Sequence, residues 1–244
     1  MELVSAKSLK SYLLNDQTSS LMDSIGSAAD EALTCQRWLR DSPAKRHVYA
    51  LLYGDLLDGG PSQKILDVGG GLTCLTRLLA ATHEYTLVDL LAHDENVISE
   101  DFAIAGKSDF LRKVDWFSYD ATGDYDIVIA NDLFPNVDQR LDLFLERYLQ
   151  RCKEVRLSLT YYPEPRFYMT KRIGADEIFC MLAWNGLQTR NTLEKYQDRI
   201  IDSRLDLLST PSPSVYPNGR QVCVIALRGD RCEKVQFASA NAEG

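Results

Sequence analysis

Between Lys64 and Asp89 the chain lays out a strand, three consecutive glycines, a helix and a second strand ending on a carboxylate. The segments are Lys64-Ile-Leu-Asp-Val-Gly-Gly-Gly71, then Leu72 to Thr82, then Tyr85-Thr-Leu-Val-Asp89. Glycine has no Cβ, so this turn can bend sharply and let a ligand approach the backbone. The helix that follows offers unpaired N–H groups at its start, which suit an electron-rich ligand. A carboxylate about 20 residues beyond the glycines is placed to take both hydroxyls of a ribose. Together these features describe a nucleoside cofactor turn within an α/β sheet.

The rest of the pattern extends that sheet. Ile65-Leu66, Leu87-Val88, Phe110 to Val114, Tyr125 to Asp132 and Val155 to Thr160 read as strands. The run from Tyr125 is continuously apolar, as expected where helices cover both faces. Leu72, Leu75, Leu78 and Leu79 give one intervening helix its core face, and Leu141, Phe144, Leu145 and Tyr148 give another. Residues 90–107 are polar and read as a loop and a weak helix. Strands alternating with helices predict a doubly wound sheet with right-handed crossovers. Beyond the fifth strand, residues 161–185 form an insert, followed by a helix over 192–201. Arg204 to Leu208 and Gln221 to Leu227 then read as a terminal hairpin across a Ser- and Pro-rich turn.

Residues 1–60 read as a helical N-terminal cap. Ala28, Ala29, Ala32, Leu33, Trp38 and Leu39 form one apolar stripe. Ser42-Pro43 gives the next helix an N-cap and a first-turn proline, and Gly59-Gly60-Pro61 stops it. The division predicted is a cap over 1–60, a main domain over 61–230 and a flexible tail over 231–244.

Composition narrows the function class. With 45% apolar residues in 244, a single large α/β domain has ample core. No run approaches the roughly 18 apolar residues of a membrane span, and Met1 to Lys10 lacks the apolar stretch of a secretory signal. The six cysteines are scattered with no Cys-x-x-Cys, which argues against zinc and for reduced thiols in a cytoplasm. A net charge of −8 disfavours nucleic-acid partners, because phosphates would be repelled. A small molecule is the expected partner, with neither nucleic acid nor membrane, and the sequence leaves room for a homodimer.

The spacing Asp67-x-Gly69-x-Gly71 resembles motif I of the class I S-adenosylmethionine-dependent methyltransferases, and Asp-Val-Gly-Gly-Gly is similar to the wording in their small-molecule O-methylating members. The likeness covers roughly residues 62–228. It departs at Thr73, where the pattern has a third glycine. It implies a Rossmann-like methyltransferase fold, with a mostly parallel seven-stranded sheet and an antiparallel last strand, and S-adenosylmethionine as cofactor. Asp67, Gly69, Gly70 and Gly71 would then line the methionine end, and Asp89 would bind the ribose. Asp115 would face the adenine amine with Trp116 beside the ring, and Asn131 or Asp132 would contact cofactor or substrate. The expected reaction is methyl transfer to a small polar or anionic metabolite, on oxygen, with a sugar or sugar nucleotide as the example in mind.

Alignment of two reactants supplies on the order of 7–11 kcal/mol, while a general base adds roughly 10²- to 10⁴-fold. The candidates for a base are Asp132, His47 and Glu164; a carboxylate qualifies only if burial raises its pKa well above about 4. His83 reads as a helix-end residue and His93 as surface. Substrate contacts are expected from Tyr161, Tyr162, Arg166 and Tyr168, with Arg166, Lys171 and Arg172 able to hold an anion such as a phosphate or carboxylate. Asn131-Asp132-Leu133-Phe134 lacks the two prolines of base- and amide-methylating enzymes. Three other readings remain: a non-catalytic cofactor-binding partner or regulator, an aminopropyltransferase and, weakest, a nicotinamide dehydrogenase.

Overall fold

The structure is a computed structural model that describes residues 1–91, 94, 110–135, 137–171, 178–210 and 212–232. In the N-terminal region β1 (Glu2–Leu3) leads to four helices, α1 (Ala6–Tyr12), α2 (Gln17–Ile25), α3 (Thr34–Asp41) and α4 (Pro43–Leu57). The main domain runs β2 (Lys64–Val68), α5 (Cys74–Thr82), β3 (Glu84–Val88), β4 (Leu111–Arg112), β5 (Tyr125–Phe134), α6 (Leu141–Tyr148) and β6 (Cys152–Tyr161). It ends with β7 (Arg166–Lys171), β8 (Ile178–Ala183), α7 (Gly186–Glu194) and β9 (Gln221–Arg228).

Seven strands form one sheet in the order β4-β3-β2-β5-β6-β9-β1, while β7 and β8 pair separately. The strands β2 to β6 are mutually parallel, and β9 runs antiparallel to β6. This is the Rossmann-like, doubly wound sheet with an antiparallel last strand that the sequence implies. The count of seven is reached differently from expectation, because the edge beside β9 is filled by β1. Arg204 to Leu208 is no strand: Leu205–Ser209 is a 3-10 helix, packed by Leu205 and Leu208. A short apolar cluster fits either period, and here burial against the main core decided for the helix.

Strand alternation splits the core into two layers. Leu66 and Val68 point to a cluster with α6 residues Phe144 and Tyr148, whereas Ile65 points to Tyr53, Leu52 and Leu75 of α4 and α5. The N-terminal helices therefore pack on one face of the sheet. Helix α4 starts as the sequence predicts, with Ser42 Oγ accepting from Lys45 N–H and Pro43 in the first turn. The stripe from Ala28 does not form a continuous helix; Asp30–Ala32 is a 3-10 turn and α3 begins at Thr34. The helix predicted over 192–201 lies earlier, at Gly186–Glu194, where the Asn185 side chain caps it in a reciprocal box with Gln188. Just ahead of the predicted tail, Gly229 and Asp230 are tied back by N–H bonds to the Lys153 and Leu149 carbonyls. Residues 233–244, and most of the loop predicted over 90–107, lie outside the described residues. No helix among the described residues is long and apolar enough to cross a membrane.

In open α/β sheets the ligand crevice opens outside the carboxyl ends of the strands, where the strand order reverses. That point is the β2/β5 junction, since β2 neighbours both β3 and β5. The glycine turn leaves β2 there.

Candidate functional site

A cavity of about 700 Å³ opens at this junction. Its walls come from the glycine turn, the ends of β3 and β5, the α3–α4 corner of the N-terminal helices, the β7–β8 hairpin and the residues leading into β9.

The turn is built for close approach. Gly69 and Gly71 have φ of +73° and +70°, in the left-handed region that L side chains rarely adopt. A Cβ on Gly70 would lie 2.5 Å from the Asp67 carboxylate oxygens, and one on Gly71 would collide with Cys35. Asp89 holds the turn from the far strand: Gly71 N–H donates to its Oδ2 at 3.0 Å and Leu91 N–H to its Oδ1 at 2.7 Å. Thr73 explains the missing third glycine. It is the N-cap of α5, its Oγ1 accepting from Thr76 N–H at 3.1 Å.

Asp67 is placed differently from expectation. It lies behind the turn, 1% exposed, with Tyr53 and Tyr85 hydroxyls donating to Oδ2 at 3.0 and 2.6 Å. Burial pushes its pKa up to about 7, against the pull of the two hydroxyls. It does not line the cavity, so it supports the turn from beneath.

At the outer end the cavity meets Asp115, Trp116, Asp138 and Arg140. Trp116 Nε1–H donates to Asp138 at 2.7 Å, and the Arg140 guanidinium lies 4.8 Å above the indole. Arg140 also pairs with Asp115 at 2.8 Å. The Arg140 guanidinium holds Asp115 below the usual carboxylate range. Asp115 and Trp116 are thus in the cavity wall, joined by an arginine that the sequence reading passed over.

The wall also holds Asn131, Asp132, Lys45 and Arg220. Strand β5 shifts register against β6 between Ala130 and Phe134, and Asp132 there has φ +55°. A left-handed aspartate at a bulge re-aims its side chain, here towards the cavity. Lys45 Nζ lies 3.0 Å from Oδ2, and Arg220 lies 3.2 Å from Oδ1. Thr160 donates to Oδ1 at 3.2 Å, and Asn131 Oδ1 accepts from Ser158. Burial opposes the charge on Asp132, but Lys45 and Arg220 outweigh it and hold the carboxylate well below its ordinary range. A base needs the reverse shift, so Asp132 is not suited to take a proton near neutrality.

The other two candidates for a base stand away from the cavity. His47 is buried on the far side of α4, stacked on Tyr12 with centroids 4.9 Å apart, and burial lowers its pKa. Lys45 reaches the site and His47 does not, because two residues along a helix are about 200° apart. Glu164 is exposed and lines none of it. His83 is buried between Leu56 carbonyl and Gln63 N–H, and His93 lies outside the described residues.

Of the predicted substrate contacts only Tyr168 lines the cavity, joined there by Met181, Tyr216 and Trp38. Tyr161 is 4% exposed and packs in the main core. Tyr162 is equally buried, with Arg166 4.2 Å from its ring and the Tyr168 ring edge-on at 6.2 Å. Aromatic residues near a strand end serve a core as readily as a ligand, and Tyr161 faces the core. Arg172 and the Lys171 side chain lie outside what is described. Lys45 did leave a signal: a cation in the first turn of a helix opposes the helix dipole. Nothing local marks Arg220, which follows the Asn218-Gly219 turn.

No protein-family model matches the chain, and no curated protein matches it in sequence. Among solved structures it is similar to a Burkholderia thailandensis 1,6-didemethyltoxoflavin-N1-methyltransferase with bound 1,6-didemethyltoxoflavin and S-adenosylhomocysteine. That likeness has 18% identity over 90% of this chain and 89% of the other, at a TM-score of 0.47. A DhpI–SAH complex is similar at 15% identity over 92% and 97%, with a TM-score of 0.46. Coclaurine N-methyltransferase bound to N-methylheliamine and SAH is similar at 14% identity over 80% and 68%, with a TM-score of 0.45.

Proposed function

We propose that this chain binds S-adenosylmethionine in the cavity at the β2/β5 junction and transfers its methyl group to a small polar or anionic molecule, on oxygen. The observation that carries the reading is the turn itself. Two left-handed glycines, Gly69 bonded to the Val88 carbonyl and Gly71 to Asp89, stand at the mouth of a cavity of about 700 Å³, a size suited to a cofactor and a small acceptor together.

The residues fit the cofactor. The Gly69–Gly71 backbone, with no side chains of its own, would take the amino-acid portion, with Asn131 at its side. Asp89 would take the ribose hydroxyls, and the wall of Trp116, Asp115 and Arg140 would enclose the base. The cofactor supplies an activated methyl on a sulfonium. The protein's part is alignment, which for two reactants is worth on the order of 7–11 kcal/mol. Tyr49, Trp38 and Met181 exclude water from that region with apolar surface. The acceptor oxygen would face Asp132, a carboxylate held as an ion by Lys45 and Arg220. Such groups accept protons poorly, which favours an acceptor oxygen already ionised near neutral pH, such as an acidic phenol, an enol or a carboxylate, over an aliphatic sugar hydroxyl.

The test is turnover of S-adenosylmethionine across an acceptor panel of phenols, carboxylates and sugars, read as S-adenosylhomocysteine formed. Product with at least one acceptor supports the proposal; cofactor binding without product across the panel would favour a non-catalytic partner.

A further inference from the structure

The charge on the cavity wall is not spread evenly. The lining carries the carboxylates of Asp41, Asp89, Asp94, Asp115, Asp132 and Asp138 and the cations of Lys45, Arg140 and Arg220, so anions exceed cations over the wall as a whole. Around the Asp132 carboxylate the order inverts. Lys45 and Arg220 both contact it, at 3.0 Å and 3.2 Å, so two cations meet on one anion.

Both cations are held in place. The Lys45 ammonium lies 5.0 Å from the Trp38 ring centre, and the Arg220 guanidinium 4.2 Å from that of Tyr216. The Arg220 side chain is only 12% exposed. Asp132 sits between them on a strained left-handed residue, a conformation that persists only when its surroundings impose it. An excess cation in a partly desolvated cavity is costly unless an anion completes it. Carboxylates and phosphates are the groups that lysine and arginine hold with short, charge-assisted bonds.

We infer that Lys45 and Arg220 form an anion subsite that selects acceptors carrying a carboxylate or phosphate beside an aromatic or other flat body, with Asp132 setting the spacing of the two cations. Trp38, Tyr168 and Tyr216 supply the flat walls. This deepens the methyl-transfer reading and rests on it for the ligand's being the acceptor. The charge argument itself does not need that reading. Arg166, an expected anion holder, lies over the Tyr162 and Tyr168 rings at 4.2 Å and 5.6 Å and does not line the cavity, so the anion contact proposed here falls to other residues.

The experiment uses the whole chain saturated with S-adenosylhomocysteine and titrates benzoate and benzamide, two probes of one shape and different charge, at fixed ionic strength. Binding is followed by thermal shift and by Trp fluorescence. Benzoate is expected to bind at least tenfold more tightly than benzamide. Lys45→Met should weaken benzoate about tenfold and leave benzamide unchanged. Asp132→Asn should tighten benzoate, since it frees both cations, whereas a merely structural ion triad would lose binding in both variants. Phosphate competing with benzoate would identify a phosphate-bearing acceptor. Equal binding of the two probes, no binding of either, or loss in Asp132→Asn of the same size as in Lys45→Met overturns the subsite. If S-adenosylhomocysteine itself fails to bind, the cofactor reading falls. The benzoate comparison, run without it, still decides the anion site.

Discussion

Asp67→Asn is a perturbation whose sign and size both follow from one carboxyl group. Asp67 is 1% exposed, and burial raises its pKa from 3.8 to about 7. Between those values the folded chain holds a proton that the unfolded chain has released. Stability contributed by this group therefore falls as pH rises through that window and levels off above it. The gap from 3.8 to about 7 corresponds to roughly 4 kcal/mol at about 1.4 kcal/mol per pH unit. Asparagine keeps an oxygen to accept from Tyr53 and Tyr85, and it has no charge to bury. The difference in unfolding free energy, variant minus wild type, should thus grow in the variant's favour by up to about 4 kcal/mol between about pH 4 and about pH 8. Urea unfolding at matched temperature measures it, and every other titrating group cancels in the difference. A difference flat across that range would refute the assignment of a charged, desolvated Asp67 beneath the turn.

Three further outcomes follow from the same geometry. Gly71→Ala forces a side chain into φ +70° against Cys35, so it should cost about 1–2 kcal/mol of stability for the backbone alone and weaken S-adenosylhomocysteine at least tenfold by calorimetry. Thr73→Ala removes the α5 cap and should lower stability by about 1 kcal/mol in chemical unfolding. His47→Gln and Glu164→Gln should leave kcat and KM within about twofold, because neither residue reaches the cavity.

Much of this was legible in the sequence, and what was not has identifiable causes. The strand–turn–helix–strand from Lys64 to Asp89 is local, fixed by glycines and short apolar runs, and it stands in the structure within two residues. Ser42-Pro43 announced a helix start for the same reason. The charge cluster around Asp132 was not legible. Lys45, Asp132 and Arg220 belong to three distant segments and meet only when the N-terminal helices close over the strand ends. The aromatic run after β6 misled because side-chain type says nothing about which face a residue turns: Tyr161 went to the core and Tyr168 to the cavity. His47 misled by chemistry, since the rarity of histidine drew attention to a residue on the wrong side of its helix.

The account stands or falls on the glycine turn and Asp89 forming a cofactor site. Its most direct test is calorimetric titration of wild type and Asp89→Ala with S-adenosylhomocysteine. The prediction is one site per wild-type chain and at least tenfold weaker binding in a variant that still melts cooperatively. No heat of binding to the folded wild type, or equal affinity in the two proteins, would contradict it.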